Sequence, residues 1–230
     1  MREIIFDTET TGLDNKADRI IEIGCIELEN QFPTGRTLHL FINPDGRKVH
    51  PDALAVHGIT DAFLTDKPVF ADVAEEIATF FDGAHYVAHN ATFDMGFLNT
   101  EYKRVGRPDV APDLVIDTLS LARRRHPMGP NSLDALCRRY GIDNSHRTKH
   151  GALLDAELLT DVYIEMLGGR QAALGLSAND TAAVERTDDE EVVEIGERSR
   201  PLPERLSAAD LQAHSNLVDR IGSKALWHKS

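Results

Sequence analysis

The sequence predicts an α/β fold: a mixed five-stranded sheet flanked by helices, followed by a flexible C-terminal tail. Three observations carry this. Three strand-like runs crowd the first 42 residues. Apolar residues then recur at helical spacing between short β-branched runs. After about residue 176 the composition turns acidic and loses its aromatics. Strands first, then alternating helices and strands, suit a mixed sheet with helices packed on it.

The first strand is an apolar run, Ile4, Ile5 and Phe6, that ends in Asp7-Thr8-Glu9. Residues 19–28 alternate and read as a second strand, and residues 36–42 as a third, stopped by Asn43-Pro44. Their short spacing allows an antiparallel meander. Val69, Val73, Ile77 and Phe80 recur at helical spacing and predict a helix over 69–81. Residues 85–88 read as a fourth strand, 90–105 as a helix, and 114–116 as a fifth strand that leads into a helix through Ala122. A short helix over 132–140 stops at Gly141, and a last strong helix over 152–167 stops at Gly168.

Composition bounds the function. The 230 residues, 41% hydrophobic, hold one core-forming domain plus an appendage. No apolar run reaches the ~20 residues of a membrane span, and the chain opens directly on strand-like sequence, so no membrane partner and no signal peptide are expected. Cys25 and Cys137 stand apart without metal spacing, so a cytoplasmic, reduced protein is the expectation. A formal charge of −13 excludes a protein that grips nucleic acid by a basic surface alone.

The chemistry lies in scattered acids. On a strand, Asp7 and Glu9 point to one face and Thr8 to the other. Two carboxylates side by side at a buried strand end repel, so one takes a proton or a cation sits between them. Gly12 permits a tight turn that lets a ligand approach. Asp94, in His89-Asn90-Ala91-Thr92-Phe93-Asp94, falls on the first turn of a helix, where an acid also complements the helix dipole. Asp155 lies beside the apolar stripe of Leu154, Leu158 and Val162 and needs a partner there. His150 is five residues earlier and would point about 140° away on a continuous helix. It reaches the same site only from the preceding loop, 145–151, whose His146, Arg147 and Lys149 suit closure over a phosphate. Four acids and a histidine at element ends suit phosphodiester hydrolysis with two divalent ions, Mg²⁺ or Mn²⁺, roughly 3.5–4 Å apart. A histidine that titrates near neutrality can take a proton from water. Oxygen ligands argue against zinc.

Asp7-Thr8-Glu9-Thr10-Thr11-Gly12, His89-Asn90-Ala91-x-Phe93-Asp94 and His150-x4-Asp155 resemble, in order, the three motifs of the DEDDh (DnaQ-like) exonucleases. The resemblance spans residues 3–168 and implies an RNase H-like fold that removes single nucleotides from a DNA 3′ end. It implies that Asp7 bridges two metals, that Glu9 and Asp155 complete the water-activating site, that Asp94 serves the second metal, and that His150 is the general base. It implies nucleotide contacts from Thr8, Thr10 and Thr11, an apolar wedge at Leu13, contacts from Asp52 and His57, and support from Asn90 and Phe93. Asp52 also reads as a loop acid, His57 as a helix-cap histidine and Phe93 as core.

Partner contacts follow the same resemblance. The domain would occupy 1–175. Gln171-Ala172-Ala173-Leu174-Gly175-Leu176 is similar to a short sliding-clamp peptide, with Gln171, Leu174 and Leu176 as contacts and Gly175 where an apolar residue or proline is usual. Residues 176–205 read as a flexible acidic linker. Residues 206–230, with Trp227, correspond to a tail that binds the catalytic (alpha) subunit of a replicative polymerase. A linker of about 30 residues spans roughly 30 Å, which concentrates a nuclease near a primer end. A small third core subunit is a further partner of such assemblies. Two other readings stay open: a free-standing DEDDh nuclease on RNA 3′ ends, and a non-catalytic bridge between subunits.

Overall fold

The computed structural model describes residues 1–145, 147, 149–168 and 207–221. The chain divides into two units, Met1–Ala178 and Asn179–Ser230.

The first unit is built on five strands: β1 (Arg2–Thr10), β2 (Ile20–Glu29), β3 (Phe32–Phe41), β4 (His85–Ala88) and β5 (Val115–Asp117). Their order is β3-β2-β1-β4-β5. β1 pairs antiparallel with β2 and parallel with β4, and β4 pairs parallel with β5. β1 is therefore the central strand, where the sheet changes from antiparallel to parallel. The carboxyl ends of β1 and β4 lie side by side, the usual place for a ligand in such a sheet.

Alternation along β1 feeds two cores. Ile4 and Phe6 pack with Ile77 and Phe81 of α3 (Phe70–Phe81) and Phe97 and Leu98 of α4 (Thr92–Arg104). Ile5 turns to the other face and packs with Leu158, Leu159 and Val162 of α7 (Ala152–Leu167) and Leu136 of α6 (Leu133–Tyr140). All three β1 side chains are fully buried, each contributing about 1.5–3 kcal/mol. Burial on both faces explains why the strand begins as an unbroken apolar run. Between β5 and α6 lies α5 (Thr118–Arg125).

The structure departs from the expected elements in three places. β3 starts at Phe32, not at 36, because Asn30 and Gln31 both adopt positive φ (51° and 70°) and close a two-residue hairpin. Two short helices, α1 (Pro51–His57) and α2 (Asp61–Leu64), were not anticipated. They are set by local capping: His50 accepts from Asp52 N–H, Pro51 opens the first turn, and Thr60 caps α2. The third difference is at Gly12. A Cβ there would fall 2.4 Å from Asp18 Oδ2. The glycine makes room for that carboxylate, which accepts from Thr11 Oγ1, Asp14 N–H and Arg47.

In the second unit the described residues form one helix, α8 (Ala208–Ile221). Ser207 and Asp210 cap it reciprocally: Asp210 N–H donates to Ser207 Oγ, and Ser207 N–H donates back to Asp210 Oδ2. The expected linker (176–205), the clamp-like peptide with Gln171, Leu174 and Leu176, and Trp227 lie outside the described residues.

Candidate active site

A cavity of about 730 Å³ opens at the carboxyl ends of β1 and β4. Asp7, Glu9, Asp94, His150 and Asp155 all line it. Each arrives by a different local device. Asp7 and Glu9 are carried on the last turns of the β1 pleat. Asp94 sits in the first turn of α4, as its spacing predicts. Asp155 sits in the first turn of α7 and is buried. His150 precedes that helix, whose N-cap is Gly151. From there its Nδ1 comes within 3.1 Å of Asp155 Oδ2. Ligand atoms of Glu9, His150 and Asp155 lie within 4.8 Å of one another.

Close approach of α7 to the sheet makes this convergence. Gly24 of β2 lies directly opposite Asp7 in the register. A Cβ on Gly24 would fall 2.2 Å from Leu153 N. Only glycine lets the start of α7 press against β2 here, and that brings Asp155 to Asp7. Asp117, also without a role in the sequence motifs, sets α4. Its Oδ1 accepts from the N–H groups of Asn90 and Ala91 and of Leu119. That fixes the turn at Asn90 (φ 65°) from which α4 starts. Neither residue has a signal of its own in the chain; a residue-by-residue register was needed to find them.

The electrostatics are those of packed, under-neutralised carboxylates. Burial, then Asp94, Asp155 and Glu9, push Asp7 well above the usual carboxylate range. Burial and the charge of Glu22 raise Glu9 to about 8. Burial raises Asp94 to about 7, against hydrogen bonds from Thr8 Oγ1 (2.6 Å) and Thr8 N–H (3.1 Å) to its Oδ1. Asp155 behaves oppositely. Burial would raise it, but His150 and the charged Arg147 beside it outweigh that and hold it low. Arg147 Nε and Nη2 reach Oδ1 and Oδ2 of Asp155, each at 2.6 Å. No described residue hydrogen-bonds to the Asp7 or Glu9 carboxylates.

The remaining predicted contacts divide. Leu13 stands 86% exposed at the cavity rim. Asp52, Asn90 and Phe93 line the cavity, and Phe93 also packs on Phe97. His57 is buried at the wall; its Nδ1 accepts from Ile59 N–H, and its Nε2 has no hydrogen-bond partner among the described residues. Burial holds its ring below the usual pKa, despite the nearby Thr10 carbonyl. Thr8 spends its hydroxyl on Asp94, and Thr10 spends its own on Gly12 O. Thr11 is fully buried, bonded to Asp18 and Arg19, and does not line the cavity. Arg147, from the basic loop, bridges Asp155 and Asp134.

An exonuclease family model (RNase_T: Exonuclease) matches residues 4–163. The DNA polymerase III subunit epsilon of Salmonella typhimurium is 42% identical over 98% of this chain and 97% of its own length. The same subunit of Escherichia coli K12 is 40% identical, with the same coverage of both chains. The chain belongs to the exonuclease family and, within it, to the family of DNA polymerase III epsilon subunits. Among solved structures, exonuclease X in complex with 5′-overhanging duplex DNA shares 31% identity, with a TM-score of 0.56 over 74% of this chain and 92% of that one. The zinc-bound form of the E. coli exonuclease I–ssDNA complex has a TM-score of 0.65, at 22% identity over 75% of this chain and 41% of that one. That likeness shows the RNase H-like fold. Exonucleases of this fold use divalent metals.

Proposed function

We propose that this chain is the proofreading 3′→5′ exonuclease of a bacterial replicative polymerase, a hydrolase that releases 5′-mononucleotides from a DNA 3′ end. One observation carries the reading: five side chains from three distant segments, Asp7, Glu9, Asp94, His150 and Asp155, line one cavity in a chain that aligns end to end with epsilon subunits.

The acids suit two Mg²⁺ or Mn²⁺ ions. Their oxygens are hard donors. Crowding already pushes three of the carboxylates toward protonation, which cations would relieve. Asp7, Glu9 and Asp155 would hold one ion and Asp7 with Asp94 the other. When bound, the ions supply an activated water and neutralise charge on the phosphate and the leaving 3′ oxygen. The side chains do the rest. His150, half-exposed at the rim, accepts a proton from the attacking water. Thr8 fixes Asp94 by two hydrogen bonds. Leu13 wedges against the terminal base, and His57, Asp52, Asn90, Phe93 and Thr10 surround the nucleotide. A mispaired end frays at lower cost and so enters the cleft more often.

The polymerase holds the duplex, which answers the net charge of −13. We assign residues 1–175 to the nuclease domain, 176–205 to a linker and 206–230 to a tail for the polymerase alpha subunit. The capped helix α8, with Leu211 and Leu217 exposed, is a segment that docks by an apolar face. Residues 171–176 are assigned to the sliding clamp, and a third core subunit remains a partner of the domain.

The test is release of 5′-mononucleotides from 3′-mismatched and 3′-paired DNA and from RNA, with Mg²⁺ and with chelator. We expect metal-dependent release, faster from the mismatch. Equal activity in chelator overturns the metal site, and a strong bias to RNA overturns the substrate.

A further inference from the structure

We propose that Arg147 is a displaceable latch on the Asp155–His150 pair: it covers the cation-facing oxygens of Asp155 until divalent ions load, then shifts to Asp134 and leaves His150 in the tautomer that accepts a proton. The inference rests on the metal-site reading above and concerns what guards that site.

The geometry is specific. The guanidinium grips Asp155 by two parallel bonds, Nε to Oδ1 and Nη2 to Oδ2, each 2.6 Å. Both carboxylate oxygens are thereby occupied by a monovalent cation. Asp7 and Glu9, beside it, have no such partner among the described residues. Arg147 thus stands in for part of the charge that the cluster lacks.

A landing place is already built. Arg147 Nη1 reaches Asp134 Oδ1 at 2.9 Å. Asp134 is 46% exposed, whereas Asp155 is buried. Release from Asp155 alone would strand a buried guanidinium, which is costly. A pivot about Nη1 keeps the charge paired and moves it toward water. Asn144 Nδ2 donates to the same Asp134 oxygen and ties the loop to α6, so the pivot needs no opening of the loop.

The latch also sets the histidine. Nη2 of Arg147 lies 2.7 Å from His150 Nδ1 and 3.3 Å from its Nε2, so Nδ1 is the nearer partner. An arginine donates only, so Nδ1 accepts and the ring proton of neutral His150 sits on Nε2. A ring protonated there cannot take a proton from water at Nε2. Asp155 Oδ2 is 3.1 Å from the same Nδ1. With the guanidinium gone, Nδ1–H donates to that oxygen and Nε2 becomes the free acceptor. The ring's proton count stays the same; only its position changes, by exchange with solvent. One displacement therefore opens a metal ligand and arms the base.

Two measurements on the full chain test this. The imidazole ¹⁵N shifts of His150, assigned by the loss of its signals in H150Q, are read without ions and with Mg²⁺. We expect the proton on Nε2 without ions and on Nδ1 with them. The same tautomer in both states overturns the latch. Second, Mn²⁺ binding is measured by the EPR signal of the free ion. R147K keeps the charge but loses the two-pronged grip, so it should bind Mn²⁺ about five- to tenfold more tightly than the native chain. Unchanged or weaker binding in a folded R147K overturns the latch. Failure of the native chain to bind Mn²⁺ at all overturns the metal site itself. The native-chain spectra stand even where R147K folds poorly.

Discussion

Asp94 and Asp155 approach β1 from opposite faces of the sheet, and both are 3% exposed. Yet burial drives Asp94 up to about 7, while Asp155 stays below the ordinary carboxylate value. The difference lies in what donates to each. Asp94 is held by a threonine hydroxyl and amide, which are neutral. Asp155 is held by a guanidinium, with the His150 ring 3.1 Å away. The two carboxyls thus shift in opposite directions, Asp94 by deeper desolvation against neutral donors and Asp155 by the charge beside it. One side of the site is short of positive charge; the other carries a substitute.

The sharpest way to break this contrast is to neutralise each acid in turn. D94N and D155N should each cut nucleotide release by about a thousandfold or more, since each removes a ligand and a charge that the reaction needs. Their stabilities should separate. D94N removes a carboxylate that resists ionisation and should raise the metal-free melting temperature. D155N leaves Arg147 half-paired in the interior and should lower it. Equal shifts in the two variants would erase the distinction.

A smaller effect comes from the packing that holds Asp155 in place. G24A puts a Cβ against the backbone of α7. We expect about 1–3 kcal/mol of destabilisation and about a hundredfold loss of kcat, because the Asp155 face moves while the Asp94 face does not. Urea unfolding and turnover on one mismatched primer check both. Full activity in G24A would show that α7 can shift without cost.

The smallest effect is in pH. Without ions, Glu9 and Asp94 release protons near 8 and 7 in the fold, against roughly 4 in an unfolded chain. The stability these protonated acids confer is full below about pH 4 and drains away as pH rises to about 8. Asp155 runs the other way: its contribution is present above its ordinary value and lost toward acid pH. In chelator the melting temperature should therefore fall by a few degrees from pH 6 to 8.5, and saturating Mg²⁺ should remove the fall. A rise in chelator would contradict the raised acids.

Much of this was legible in the chain. Period-two alternation put Asp7 and Glu9 on one face, helical spacing put Asp94 in a first turn, and the stripe of Leu158 and Val162 put Asp155 at a buried edge. His150 followed because a helical path would have aimed it elsewhere. The rest depended on contacts between segments. Nothing around Gly24 announces that a helix more than a hundred residues later will rest on it. The two-turn α1 has too few apolar positions to show a period. The basic loop was visible, but not that Arg147 would turn inward onto an acid when Asp134 waits beside it. Asn30-Gln31 hid its turn because only the first of the pair readily takes a left-handed backbone.

Tyr163 donates to Glu3 across 160 residues of chain, and α7 completes both the core of the central strand and the cluster of acids. A polypeptide emerging from the ribosome therefore carries Asp7 and Glu9 from the outset but lacks Asp155, and on the proposed function it cannot yet cut. On the function proposed above, α7 is both a keystone of the architecture and the step that completes the blade. A nuclease assembled in this order stays harmless to nucleic acid until its synthesis has passed that helix.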